Sequence, residues 1–356
     1  MRIRSLILAA ILLVATADVR AADPEAGQTR YPSLKLGGFS DFNFFVSEED
    51  DAGGTRSGFK EGQFILHFVS EISERFDFFA ETSLTARRGQ DFEFGLERGI
   101  IKYSHNDALK ISFGRYHTPI NWWNNAFHHG QWLQTTVSRP EMTRFGGEFI
   151  PVHFVGGMAQ GNIPSGTHNL NYTAGVGNGR GDPISGAGDA GDVNNGRALF
   201  VKLASKPDYL YGLEFGGAYY VDKITQAALP EEFDEWIGSL YAVLHRETPE
   251  VIVEYAHIDR EGEDSGSSFT SDAYYVQVAY RFPFWRSRLK PYTRYEKINV
   301  GSGEPVFVTQ TDRDGYLAGL RLDFSAPVAV KLEYRHQRSN EDPYVDSVFT
   351  QVAFAF

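Results

Sequence analysis

The chain ends on Val348-Phe349-Thr350-Gln351-Val352-Ala353-Phe354-Ala355-Phe356. In an extended strand, successive side chains point to opposite faces. Val348, Thr350, Val352, Phe354 and Phe356 therefore share one face, while Gln351 and the small Ala353 and Ala355 share the other. The same rhythm runs back through the sequence. Tyr274, Val276, Val278, Tyr280 and Phe282 alternate with Gln277 and Arg281, and Val330, Leu332 and Tyr334 with Lys331, Glu333 and Arg335. Near the start, Leu34, Leu36, Phe42, Phe44 and Val46 alternate with Lys35, Gly37, Asp41 and Asn43. No helical period persists anywhere, so the chain reads as all-β.

The pattern predicts about sixteen strands, near 34–46, 61–72, 75–87, 92–104, 108–116, 147–160, 168–178, 196–205, 209–222, 236–247, 250–259, 272–283, 288–299, 312–324, 327–338 and 344–356. Strands of soluble proteins average about 5–6 residues. A tilted strand crossing a bilayer needs about 9–11. Most of these are of the second kind. Short links alternate with long ones at 47–60, 117–146, 179–195, 223–235, 260–271 and 300–311, the connectivity of an antiparallel up-and-down transmembrane barrel. The link at 88–91 is shorter than this pattern, and the strand around Glu97 and Gly99 is poorly phased.

Composition narrows the classes further. The 356 residues are 42% hydrophobic with a mean hydropathy of -0.32. A helical membrane protein would need apolar runs of roughly 20 residues, and the longest here lies at 6–14. Twenty-eight Phe, 18 Tyr and 5 Trp argue against a disordered chain. Arg2 and Arg4, an apolar stretch over 6–17 and Val19-Arg20-Ala21 have the form of a secretory signal with a small-x-small cleavage site. The expected division is a signal peptide at 1–21 and a single barrel domain at 22–356. A net charge of -12 excludes nucleic-acid binding through general electrostatics. The absence of Cys excludes disulfides, thiol catalysis and Cys-ligated zinc.

Taken together, the signal, the alternation and the terminal Phe356 make the chain resemble the Gram-negative outer-membrane porins of the sixteen-stranded, trimeric type. Gly114-Arg115-Tyr116-His117-Thr118-Pro119 is similar to the strand-to-loop passage of the phosphate-selective porin O/P-like group. The resemblance implies that the connection after the fifth strand folds into the lumen and narrows it. It implies that Phe354 and Phe356 form the signal read by the barrel-assembly machinery. It also implies a homotrimer set among outer-membrane lipid and lipopolysaccharide.

The connection at 117–146 is the longest, and it is rich in recognition-type side chains. Trp122, Trp123 and Trp132 accompany Arg115, His117, His128, His129, Arg139, Glu141 and Arg144, the residues expected at a constriction. Charged groups at a narrow point set selectivity. Arg281, Arg294, Arg321, Lys331 and Arg335 fall on the lumen-facing phase late in the chain, interleaved with Glu296, Asp323 and Glu333. This basic wall and the resemblance favour anions, whereas the acidic external segments 48–51, 231–235 and 261–264 favour cations. The histidines invite a metal reading, but adjacent histidines seldom aim at one ion and no carboxylate stands at a ligand spacing. No metal and no cofactor are expected. Asp189, Asp192, Asn194 and Asn195 offer oxygens for adventitious calcium, and Gly186-x-Gly188-x-x-Gly191 lacks the strand–turn–helix context of a dinucleotide site.

The expected function is passive diffusion of small hydrophilic solutes or ions through a water-filled channel. The rivals are a barrel enzyme, such as a lipid hydrolase, and a non-conducting structural barrel. His67 and Ser70, three apart on one strand, point to opposite faces and do not make a catalytic pair.

Overall fold

The computed structural model describes residues 31–48, 56–87, 91–284, 286, 288–340 and 343–356. The expected signal peptide lies outside the described residues. Sixteen strands close into one antiparallel barrel, each paired with its neighbours in sequence. They are β1 (Ser33–Ser47), β2 (Arg56–Glu71), β3 (Phe76–Ala86), β4 (Phe92–Asn106), β5 (Leu109–His117), β6 (His153–Asn162), β7 (Leu170–Asn178) and β8 (Ala198–Ser205). There follow β9 (Leu213–Ile224), β10 (Phe233–Leu244), β11 (Glu250–Gly262), β12 (Ser268–Ala279), β13 (Leu289–Asn299), β14 (Arg313–Ser325), β15 (Val328–Ser339) and β16 (Val345–Ala355). Among the described residues, no helix is long and apolar enough to cross a membrane.

The alternation sorts side chains inside out. Leu36, Phe44, Phe94, Phe113, Leu203, Leu240, Val276, Leu320 and Val352 stand exposed on the outer face. Gln63, Glu81, Glu254, Gln277, Arg294, Lys331, Glu333 and Gln351 are buried on the inner one. Tyr274 and Tyr295, with ring centroids 6.1 Å apart, and Tyr316 and Tyr334, 6.4 Å apart, belong to one outer band. Amphipathic rings of this kind anchor a barrel at a membrane–water interface.

Closure depends on the terminal strand. β16 pairs with β1 from Ser47↔Ser347 to Phe39↔Ala355. Beyond that ladder, Gly38 N donates to Phe356 O at 2.9 Å and Phe356 N donates to Gly38 O at 3.1 Å. The Phe356 ring stacks on Phe64 at 5.4 Å and lies over Gly38, where a Cβ would come within 2.6 Å of it.

Several boundaries differ from the sequence reading. The sixth strand begins at His153 rather than 147, because 147–152 belong to the inward connection. β2 starts at Arg56 and β12 ends at Ala279 instead of 61 and 283. The link expected over 260–271 shrinks to five residues, since β11 and β12 pair out to Glu261↔Ser268. Polar residues at these rims still alternate and still pair, and hydrophobic periodicity does not report that.

A side chain at Gly38 should obstruct closure, whereas one at Gly58, which has nothing within 4 Å, should not. Gly38→Leu is expected to reduce the fraction of protein whose gel mobility changes on heating, and Gly58→Leu to leave it unchanged.

Candidate functional site

The connection 118–152 runs inside the barrel, where its peptide groups need partners other than bulk water. The wall supplies them in both senses. Helix α1 (Trp122–Phe127) opens with Trp122 N and Trp123 N donating to the Glu254 carboxylate at 2.7 and 3.0 Å. Glu333 accepts from Val137 N at 2.8 Å and Ser138 N at 3.0 Å. Glu296 accepts from Glu141 N at 3.0 Å. The basic residues take the carbonyls. Arg294 donates to Ser138 O and Arg139 O, each at 2.9 Å. Arg321 reaches Trp132 O and Gln134 O at 2.9 Å, and Lys331 reaches Thr136 O at 2.9 Å.

An apolar seam completes the attachment. Ile120, Trp122, Trp123, Met142 and Phe149 of the connection join Phe200, Tyr220, Ile237, Ile252 and Tyr275 of β8–β12 in one buried cluster. Wall and loop thus meet along β8–β15. Open space remains on the opposite side. A cavity of about 460 Å³ lies between the connection and the wall, lined among others by Asp41, Lys60, Gln63, Arg87, Glu93, Glu97, His129, His153 and Arg335. A second, of about 570 Å³, lies by the short-turn ends of β5–β9, with Lys110, Lys202, Lys206, Asp107 and Glu214 on its lining.

The expected site residues divide accordingly. Of the proposed basic wall, Arg294 and Lys331 are almost fully buried under the connection, Arg321 is buried with them, and all three bond its carbonyls. A free basic lining made of these residues is therefore corrected. Arg281 pairs with Glu247 at 2.6 Å and with Asp323, while Arg335 lines the first cavity. Of the constriction set, His129 lines that cavity, and Arg139, Glu141 and Arg144 do not. Arg139 instead lies 3.7 Å over the Phe145 ring. Glu141 sits 3.7 Å from both Arg313 and Arg335. Burial opposes its charge, but the two guanidiniums outweigh burial and hold the carboxyl below its ordinary range. Arg115 pairs with Asp189 at 2.6 Å.

The two readings of the external segments also change. Glu235, assigned to an acidic exterior, is buried between Arg180 at 3.1 Å and Arg260 at 2.6 Å. Asp189 and Asp192 are spent on Arg115 and Arg197, and the Asn194 amide donates to Lys223 O at 2.8 Å and Thr225 Oγ1 at 3.0 Å.

Sequence reasoning missed a cluster of histidines. His117, His128, His129 and His153 each offer a ring nitrogen, and the four lie within 4.8 Å of one another. Adjacent His128 and His129 converge, contrary to expectation, with ring centroids 4.2 Å apart. The carboxylate missing from the linear spacing is Glu97, whose Oε2 is 3.1 Å from Nε2 of both His129 and His153. A β-bulge delivers it: Glu81 pairs with Arg98 and Thr82 with Leu96, leaving Glu97 as the extra residue. Bulges re-aim side chains in this way. That same bulge is the poor phasing noted around Glu97. On β5, Gly114 adopts φ +147, and a Cβ there would lie 1.9 Å from Gly99 O. His128 is held below the ordinary imidazole range, by burial first and by neighbouring His117 next.

The fold has close relatives in shape. The anion-selective porin from Comamonas acidovorans matches with a TM-score of 0.66 at 13% identity, over 91% of this chain and 100% of that one. The outer-membrane channel DcaP of Acinetobacter baumannii matches at 0.63 and 12% identity, over 93% and 100%. OmpT, an outer-membrane protein of Vibrio cholerae in its trimer form, matches at 0.63 and 11%, over 92% and 100%. At these identities the likeness is one of fold: the chain has the closed sixteen-stranded barrel of these structures. No protein-family model matches the chain, and no curated protein matches it.

Removing Glu333 strips two connection N–H groups of a charged acceptor, each such bond contributing about 1.5–3 kcal/mol. Glu333→Ala is expected to make the segment around Val137 and Ser138 exchange amide hydrogens faster. The ladder of β1–β4 should exchange as in the parent, as read by hydrogen-exchange mass spectrometry.

Proposed function

We propose that the chain is an outer-membrane porin, a water-filled channel through which small hydrophilic solutes or ions diffuse down their gradients without catalysis. The observation that carries this reading is the inverted barrel: an apolar exterior, a charged interior, and a connection folded inside with polar cavities beside it. Two of the solved structures sharing the fold are described as a porin and an outer-membrane channel, which supports the reading. The enzyme alternative has no support at His67, which faces Glu81 at 3.3 Å rather than Ser70. A Gram-negative outer membrane with its lipopolysaccharide as location, a homotrimer as assembly, and recognition of Phe354 and Phe356 by the barrel-assembly machinery belong to the same proposal.

Selectivity follows from which charges remain free. Lys60, Arg87 and Arg335 line the first cavity together with Asp41, Glu93 and Glu97, and Arg87 pairs there with Glu93 at 2.5 Å. Signs are balanced there, and three of the five wall cations are occupied by the connection. We therefore assign weak selectivity between anions and cations, with size as the main filter. The constriction is assigned to His129 and the opposing wall rather than to Arg139 and Arg144.

In planar bilayers the purified protein is expected to show stable, stepwise conductance, and silence would overturn the channel. Lys60→Glu, at the cavity lining, should move the reversal potential under a salt gradient toward cations. Arg139→Gln, at a cation packed over Phe145 and not itself on that lining, should move it much less.

A further inference from the structure

We infer that His117, His128, His129 and His153 form a binding site for one divalent transition-metal ion of the zinc, nickel or copper class, with Glu97 as adjoining carboxylate. The four ring nitrogens already lie within 4.8 Å of one another. A tetrahedral ion with metal–nitrogen bonds of about 2.0–2.1 Å requires ligand nitrogens roughly 3.3–3.4 Å apart. Side-chain shifts of about an ångström would close the difference.

The outer contacts select the tautomers a metal needs. The Asn124 amide nitrogen donates to Val152 O at 2.8 Å and Thr118 O at 3.3 Å, so its oxygen is the atom 2.6 Å from His128 Nδ1. The 2.6 Å contact to that oxygen is far shorter than the 3.5 Å contact to Arg139 Nη2, which places the hydrogen on His128 Nδ1 and a lone pair on Nε2. Gln63 repeats the device. Its amide nitrogen donates to Thr85 Oγ1 at 3.0 Å, and its oxygen lies 3.1 Å from His129 Nδ1. Metal-ligating histidines are typically held by such partners through the other ring nitrogen. Nε2 of His128 and both ring nitrogens of His117 are buried without a hydrogen-bond partner. Buried polar atoms are seldom left so.

The donor set defines the ion. Imidazole nitrogen suits zinc, copper and nickel, whereas calcium and magnesium prefer oxygen. Access is provided by the 460 Å³ cavity, which His129, His153 and Glu97 line. His117 ends β5 and His153 begins β6, opposite each other in register, while His128 and His129 lie within the connection. A bound ion would therefore tie the connection to the wall at β5 and β6.

Untagged protein, folded in detergent and stripped with a chelator, tests the site without reference to conduction. Titration with Zn²⁺ is expected to saturate at one ion per chain, and Co²⁺ to give the intense visible absorption of a tetrahedral, nitrogen-ligated ion. His153→Asn should weaken binding at least about tenfold. His257→Asn, which removes a half-buried histidine between Asp259 and Asp272, should not change it. Excess Ca²⁺ or Mg²⁺ should not compete. Failure of the parent to bind, binding indifferent to His153→Asn, or binding abolished by His257→Asn would overturn the assignment. Should His153→Asn not form a heat-modifiable barrel, the parent's Co²⁺ spectrum decides, a weak octahedral spectrum counting against the site.

Discussion

A polypeptide that crosses the inside of a barrel carries its peptide dipoles with it, and that constraint organises this molecule. The connection after β5 has one short α-helix and a 3-10 turn at Glu141–Thr143 to satisfy itself, and further N–H and C=O groups find partners on the wall. Acidic side chains of β11, β13 and β15 accept from its amides, and basic side chains of β13, β14 and β15 donate to its carbonyls. The charges are ordered by what the loop backbone presents to them. Charge-assisted bonds of this sort are about twice as strong as neutral ones.

This arrangement changes what a basic wall means. A count of Arg and Lys on the inward phase suggests a positive pore, but a guanidinium bonded to two carbonyls is both covered and compensated. The charges that passing ions would meet lie on the other side, on β1–β4, β6 and β15, where acids and bases are present together. Burial of the connection against β8–β15 therefore decides which wall is free. Its apolar seam, with Trp123 fully buried, is one place where the interior departs from polar lining.

Two local irregularities stand beside the histidine cluster. The bulge at Glu97 and the φ of +147 at Gly114 lie on the adjacent strands β4 and β5, and next to them stand the four histidines. A strictly regular pair of strands would not place Glu97 beside His129 and His153. The strands β10–β14, paired without a register shift, instead present inner residues to the loop as an ordered row.

The barrel itself was legible in the sequence, because period-two alternation over strands long enough to cross a bilayer has few other solutions, and the links alternated in length. Phe356 falls on the apolar phase of the last strand, and its backbone pairs with Gly38 where the barrel closes. The histidine cluster was not legible. His117 and His153 are 36 residues apart in the chain, and only the β5–β6 register sets them opposite each other. Glu97 reaches them from a third strand, displaced by a bulge that alternation registers as mere loss of phase. The fates of Arg294, Arg321 and Lys331 were equally hidden. Hydrophobic periodicity assigns a side chain to a face, since that depends on local backbone geometry alone. What covers the face depends on where a distant loop comes to rest, and only the tertiary structure decides that.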